Sequence, residues 1–192
     1  TYRVTTPYVE ANRAAYLEAA IFEVLPGAAQ KATFTREGDR LVPLPDGAAP
    51  GFRLYAGYDA AGALTGVAVE AQGQGFADVI RILYGYAPGC KCVVGMKVLE
   101  SKETPGLGDK IYKDDAFRAN FDRLDVQLGA DGTTLLHPPE MVKNGQKTEA
   151  WQIEAITGAT VSSKAITEII RQSTAAVVPL IEKNLAALQR TP

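Results

Sequence analysis

The side chains that hold metals are scarce in this sequence. Among 192 residues, histidine occurs once (His137), tryptophan once (Trp151) and cysteine twice (Cys90, Cys92). A zinc cage needs four nitrogen or sulfur ligands and an iron–sulfur cluster four thiolates, so neither fits this inventory. No Cys-x-x-Cys-His for haem attachment is present. Nucleophilic serine catalysis is disfavoured too: the lone histidine lies in "LHPPE" and there is no G-x-S-x-G elbow. Any redox role therefore needs an organic cofactor.

Long apolar runs are also missing, and none approaches the roughly 20 residues that carry a helix across a bilayer. No charged-then-apolar leader is seen. The sequence opens at Thr1 rather than Met, as expected of a chain whose leader or anchor lies upstream. Neither sign of charge dominates: 20 Lys and Arg stand against 22 Asp and Glu, a net charge of -2. With no basic stripe and no aromatic stacking platform, nucleic acid is not the expected partner. The two cysteines form Cys90-Lys91-Cys92. On a strand, residues i and i+2 share a face, so the sulfurs can approach each other; the simpler expectation is two small residues in a hairpin.

What is present suffices for one core in one domain spanning residues 1–192, since 46% of the residues are apolar. Thr6 and Pro7 predict the start of a helix over 7–25, as N-cap and first-turn proline. Leu17, Ala20, Ile21, Val24 and Leu25 then make one stripe, stopped by Pro26-Gly27. "LYAGYDAAGALTGVAVE" (54–70) and "LYGYAPGCKCVVGMKVLE" (83–100) echo each other as strand, turn, strand, which predicts paired hairpins in one twisted antiparallel sheet. Between them lies "AQGQGF" (71–76), whose two glycines let the backbone approach something closely, although Gly73, Gly75 and Phe76 read first as turn chemistry.

Pro105, Gly106 and Gly108 in "SKETPGLGDKIY" (101–112) dictate an irregular loop with Leu107 lifted at its tip. Such a leucine must cover a neighbouring core, a ligand or a partner. A short helix over 113–124 follows, with Phe117, Phe121 and Leu124 on one face, and a possible hairpin over 126–136. Trp151 reads as a core residue. The last helix is predicted from about Ser162 to Gln189, burying Ile166, Ile169, Ile170, Val177, Leu180 and Ile181, with Pro179 kinking or splitting it.

At the start of that helix stands "AITGATVSSKAITEII" (155–170), with Thr157, Thr160, Ser162 and Ser163. One helix cap needs one hydroxyl. The residues alone leave two readings: a redundant N-cap, or an anion site in which hydroxyls and unpaired backbone N–H groups meet a phosphate. A P-loop is excluded, because Lys164 lacks the G-x-x-x-x-G before it.

"ETPGLGDKI" (103–111) and "ITGATVSSKAI" (156–166), taken in this order, closely resemble the paired signatures of the FMN-binding domains of the RnfG and NqrC kind, RnfG above all. The resemblance covers essentially the whole chain. It implies an α+β fold, a twisted antiparallel sheet of hairpins with packed N- and C-terminal helices. It also implies FMN carried on Thr160 through a phosphoester bond installed by a separate flavin transferase. Thr157, Ser162 and Ser163 would then bond phosphate oxygens, while Gly158, Ala159 and Val161 complete the segment. Glu103, Thr104, Leu107 and Gly108 would lie against the flavin ring, and Lys110 would tune it or stand as a solvated charge. The implied role is that of an electron-transfer subunit of an Rnf-type ion-translocating ferredoxin:NAD oxidoreductase rather than a stand-alone enzyme. Its partners would be the other subunits, and it would sit on the extracytoplasmic (periplasmic) side of the membrane, anchored by a helix preceding Thr1. An NqrC-like or stand-alone FMN domain of another chain, a true oxidoreductase using FMN on a small substrate, and a non-redox phosphate-binding module are the competing readings. One departure stands out: Glu154 occupies a position that is usually Asp in this motif.

Overall fold

In a computed structural model, residues 2–45, 48 and 51–189 are described. Helix α1 (Tyr2–Val24) leads into a hairpin of β1 (Gln30–Glu37) and β2 (Arg40–Pro43). A four-strand meander follows: β3 (Leu54–Tyr58), β4 (Leu64–Gln74), β5 (Val79–Ala87) and β6 (Cys92–Glu100). With β7 (Leu124–Asp125) these make a seven-stranded sheet in the order β2-β1-β3-β4-β5-β6-β7, antiparallel throughout. The α+β class and the two echoed hairpins are as expected from the sequence. The β1–β2 hairpin, which extends the sheet at one edge, went unread.

Strand periodicity of two sends alternate residues to opposite faces. On one face Leu54, Ala56, Val67, Val69, Tyr84 and Tyr86 meet helix α4 (Thr160–Lys183) through Ile166, Ile170, Val177 and Ile181. On the other, Tyr55, Ala68 and Leu83 meet Ala20, Ile21, Val24 and Leu25 of the α1 stripe and its end. The latter contact is close because glycines line it. A Cβ at Gly85 would lie 2.0 Å from the Val24 carbonyl oxygen, and one at Gly95 would lie 2.9 Å from Val24 Cα. Gly85 and Gly95 are cross-strand partners, so together they clear a seat for the helix end.

Several boundaries differ from expectation. Helix α1 begins at Tyr2, so Thr6 does not cap its start and Pro7 lies one turn inside, where it removes a single ladder bond. The helix expected over 113–124 is instead α2 (Lys110–Lys113) and α3 (Asp115–Ala119). Asp114 caps α3 by accepting from Phe117 N at 2.8 Å. The amide of Asn120 then ends it, donating to the carbonyls of Phe117 (3.0 Å) and Glu154 (3.1 Å). Phe117, Phe121 and Leu124 are buried nevertheless, Leu124 as the start of β7. Of the hairpin over 126–136 only a Leu128–Leu135 bridge forms.

Helix α4 starts at Thr160 and runs unbroken through Pro179, ending at Asn184 before α5 (Leu185–Leu188). The proline costs about 3 kcal/mol, but the buried side chains on either side of it offset that, at about 1.5–3 kcal/mol each. Three tyrosine hydroxyls also pin the C-terminal helices to the sheet. Tyr58 donates to Leu188 O (2.6 Å), Tyr84 bonds Ser173 Oγ (2.7 Å) and Tyr86 donates to Glu182. Burial, with the Glu182 carboxylate next in weight, pushes the Tyr86 phenol above its ordinary range, so the proton stays on the tyrosine.

Two further expectations are corrected. Cys90 and Cys92 are joined in a disulfide rather than standing as two small turn residues. Trp151 is only half-buried and stacks on His137, with ring centroids 3.8 Å apart. A parallel pair, β8 (Glu140–Val142) and β9 (Gln152–Glu154), then delivers the chain to the start of α4.

Candidate functional site

Strand β9 stops at Glu154, whose backbone is held at both ends by Asn120: Oδ1 accepts from Glu154 N (3.0 Å) and Nδ2 donates to its carbonyl. The Glu154 carboxylate accepts from Gly145 N–H. Ala155 and Ile156 are buried, and the chain then turns sharply at Gly158, whose φ of 81° suits glycine alone. Ala159 is the N-cap of α4 and supplies no side-chain bond.

Of the hydroxyls that crowd this segment, none therefore caps the helix from the N-cap position. Ser163 is fully buried; its Oγ accepts from Ile156 N (3.1 Å) and donates to Ala159 O (2.8 Å), stitching the turn together. Ser162 donates to the buried carboxylate of Glu103. Thr157 and Thr160 are exposed. The first intrahelical bond runs from Ser163 N to Ala159 O (3.0 Å), so the N–H groups of residues 160–162 have no acceptor within the helix.

Glu103 is where three segments meet. Besides Ser162, its Oε1 accepts from Ala77 N at 3.1 Å, in the β4–β5 turn. The loop carrying it is pressed against α4: a Cβ at Gly108 would lie 2.7 Å from Glu103 Cβ and 2.8 Å from Ser162 Oγ. Gly75 is tighter still, its Cβ position 2.4 Å from Glu103 Oε1, and Gly73 lies against Ile169 at 2.6 Å. These two glycines permit the close backbone approach that the sequence allowed for them, rather than serving as turn residues alone.

The result is a cavity of about 370 Å³ lined by Phe76, Glu103, Thr104, Leu107 and Gly108 on one side and by Gly158 to Ser162 on the other. Larger hollows exist, but this is where both sequence motifs converge on an uncapped helix start. Phe76, Leu107 and Val161 are exposed by 68%, 53% and 56%, an unusual concentration of bare apolar surface around one opening. Lys110 lies behind the turn, its Nζ 3.8 Å from a Cβ placed on Gly158, and it forms no ion pair among the described residues. Asp109 beside it pairs with Lys113 (2.5 Å); this hydrogen bond, helped by the charge, holds the Asp109 carboxyl below its ordinary range against the effect of burial.

The structure thus brings together Glu103, Thr104, Leu107, Gly108, Gly158, Ala159, Thr160, Val161 and Ser162. Thr157 and Lys110 flank the cavity without lining it, and Ser163 lies behind its wall. Phe76 was missed as a wall residue. Its only local signal is an aromatic placed directly after a Gly-Gln-Gly turn. The cavity is suited to a ligand anionic at one end and flat and apolar at the other.

A family model described as an FMN-binding domain matches residues 75–175, which take in every lining residue. The G subunit of the ion-translocating oxidoreductase complex of Methanosarcina acetivorans is 30% identical over 173 residues, covering 90% of this chain and 81% of that protein. The G subunit of the proton-translocating ferredoxin:NAD(+) oxidoreductase complex of Clostridium ljungdahlii is 32% identical over 105 residues, 55% of this chain and 49% of that one. In architecture the chain is similar to the crystal structure of Shewanella oneidensis NqrC, with a TM-score of 0.74, 16% identity, and coverage of 92% of this chain and 99% of the other. That likeness speaks for the fold alone. Since the family model spans more than half of the sequence, and the fold and motifs agree with it, this chain belongs to the FMN-binding domain family.

Proposed function

We propose that this chain is the FMN-carrying electron-transfer subunit of an Rnf-type ion-translocating ferredoxin:NAD oxidoreductase complex, with FMN held covalently by a phosphoester to the hydroxyl of Thr160. The observation that carries this reading is the start of α4: uncapped, with an exposed threonine hydroxyl at its first residue, opening into a cavity walled by apolar side chains. The residues fit FMN. The phosphate end suits the unpaired N–H groups, the positive pole of a 24-residue helix and the Lys110 ammonium beside Gly158. The ring end suits Phe76 and Leu107.

When bound, FMN supplies one- and two-electron transfer, which none of the side chains lining the cavity supplies. The protein's own residues bind and orient it. Glu103 and Ser162 fix the wall by their mutual hydrogen bond, and Gly108 lets the loop approach α4. Thr160 is the only hydroxyl of the cluster that is exposed, lines the cavity and belongs to the helix start. A separate flavin transferase makes the bond, and the other subunits of the complex are electron donor and acceptor. The domain works on the extracytoplasmic side of the membrane, held there by a segment upstream of Thr1. Among the described residues, no helix is long and apolar enough to cross a membrane.

The test is co-expression with a flavin transferase, followed by intact mass under denaturing conditions. The expected mass exceeds the sequence by FMN less one water. Thr160→Val should lose that addition completely, while Thr157→Val should keep it. Flavin retained on the Thr160→Val chain would overturn the site.

A further inference from the structure

Far along α4 from the flavin cavity, the β5–β6 hairpin turns through residues 88–91 and closes on the Cys90–Cys92 disulfide. This bond has little structural work to do. It spans a single intervening residue, so it removes almost no freedom from the unfolded chain. The hairpin is already closed by backbone pairing of Ala87 with Cys92, and β6 is paired on its other side through Cys92–Asp125 and Val93–Leu124. Lys91 O also accepts from Val126 N at 3.1 Å.

The two sulfurs differ in environment. Cys90 is exposed at the tip, whereas Cys92 is 3% exposed within β6. Between them, Lys91 has φ of 53° and is the one non-glycine with positive φ among the described residues. A long side chain in this conformation costs energy that glycine or asparagine would avoid, so the turn keeps a cation there against its backbone preference. An ammonium beside a thiol favours the thiolate, the form that attacks and leaves in disulfide exchange. Lys91 also borders a hollow of about 560 Å³ that Arg36, Leu128 and Lys183 help to line, which gives a partner a footing next to the exposed sulfur.

We propose that Cys90–Cys92 is a thiol–disulfide exchange site, with a dithiol-bearing protein as its co-reactant, distinct from the flavin site. A thiolate of the partner attacks Cys90 Sγ; the Cys90–Cys92 bond breaks and Cys92 leaves as thiolate. The partner's second thiolate then attacks its own sulfur in the mixed disulfide and releases Cys90. The partner is oxidised by two electrons to a disulfide, and this chain takes up those two electrons and two protons. The asymmetric exposure directs attack to Cys90, and the paired strands hold Cys92 in place for re-oxidation.

The flavin-loaded chain is kept in air and then treated with dithiothreitol under native conditions, labelled with a maleimide and weighed intact, with circular dichroism recorded alongside. The expected result is no label before reduction and one label, on the exposed Cys90, after it, with a second on Cys92 only once denaturant is added, the spectrum and flavin content unchanged; a reduced sample returned to oxidised glutathione before labelling should take none. In Cys92→Ser, oxidised glutathione should form a mixed disulfide on Cys90; in Cys90→Ser, Cys92 should stay unmodified. Two labels without reductant, or no label until denaturant is added, would overturn the proposal, and the wild-type arm decides this even if a variant fails to fold.

Discussion

At the scale of single residues, the region around the cavity is organised by carboxylates taken out of water and given specific donors. Glu103 has Ala77 N–H and the Ser162 hydroxyl. Asp109 is 3% exposed and has Lys113, while its Oδ1 has no hydrogen-bond partner among the described residues. Because its folded carboxyl titrates below the ordinary value of about 3.9, Asp109 contributes stability that is complete above that value and lost as pH falls through its lower folded value. Lys113 is raised by the same bond, so its share persists until pH climbs past about 10.4. Asp109→Asn should therefore lower Tm at pH 7, and the gap to wild type should close as pH falls well below 4 in a series of thermal melts. A gap that stays constant across that range would mean that charge is not what Asp109 contributes.

Elements obey their own logic, in which small residues decide which surfaces can meet. The end of α1 comes closest to the sheet where glycines replace side chains, and Gly85 is the tightest point. Gly85→Ala places a methyl group where the Val24 carbonyl stands, and backbone has to move. Overpacking of this kind costs about 1–3 kcal/mol, at roughly 2–4 °C of Tm per kcal/mol for a chain of this size. Calorimetry should show that drop for Gly85→Ala, while Gly89→Ala, which meets nothing within 4 Å, should melt close to wild type. Periodicity announced α1 and α4 clearly, since their apolar stripes repeat at three and four. It said nothing of α2 and α3 as separate pieces: the break between them is the extended backbone of Asp114, which caps α3 anew, and the end of α3 at Asn120 is held by a hydrogen bond to Glu154, 34 residues away.

Taken whole, the molecule is a sheet with α4 clamped along one face, the cavity proposed for the flavin at the helix start and the tyrosine latches towards its end. Tyr58→Phe should release α5, leaving the Leu188 carbonyl without its buried donor at a cost of about 1–3 kcal/mol. Its Tm should fall accordingly, whereas the flavin attachment proposed at Thr160 should remain complete by intact mass, because Leu188 and Thr160 stand at opposite ends of the C-terminal helices. Reduced attachment in that variant would show that the C-terminal latch and the cavity form one cooperative unit.

Local chemistry was legible in the sequence: the α1 stripe, the two echoed hairpins, the buried face of α4, and the pair of motifs whose glycines and hydroxyls imply a turn into a helix start. Each of these depends on neighbours within a few residues, where the periods of two and 3.6 and the backbone freedom of glycine act directly. Tertiary structure alone decided which hydroxyls are free. Ser162 and Thr160 stand two positions apart, yet one is bound to Glu103, 59 residues away, and the other opens onto the cavity. The same holds for Phe76 across from Val161 and for the glycine seat beneath Val24. Contacts between distant segments are set by how the sheet stacks its helices, and no local pattern records them.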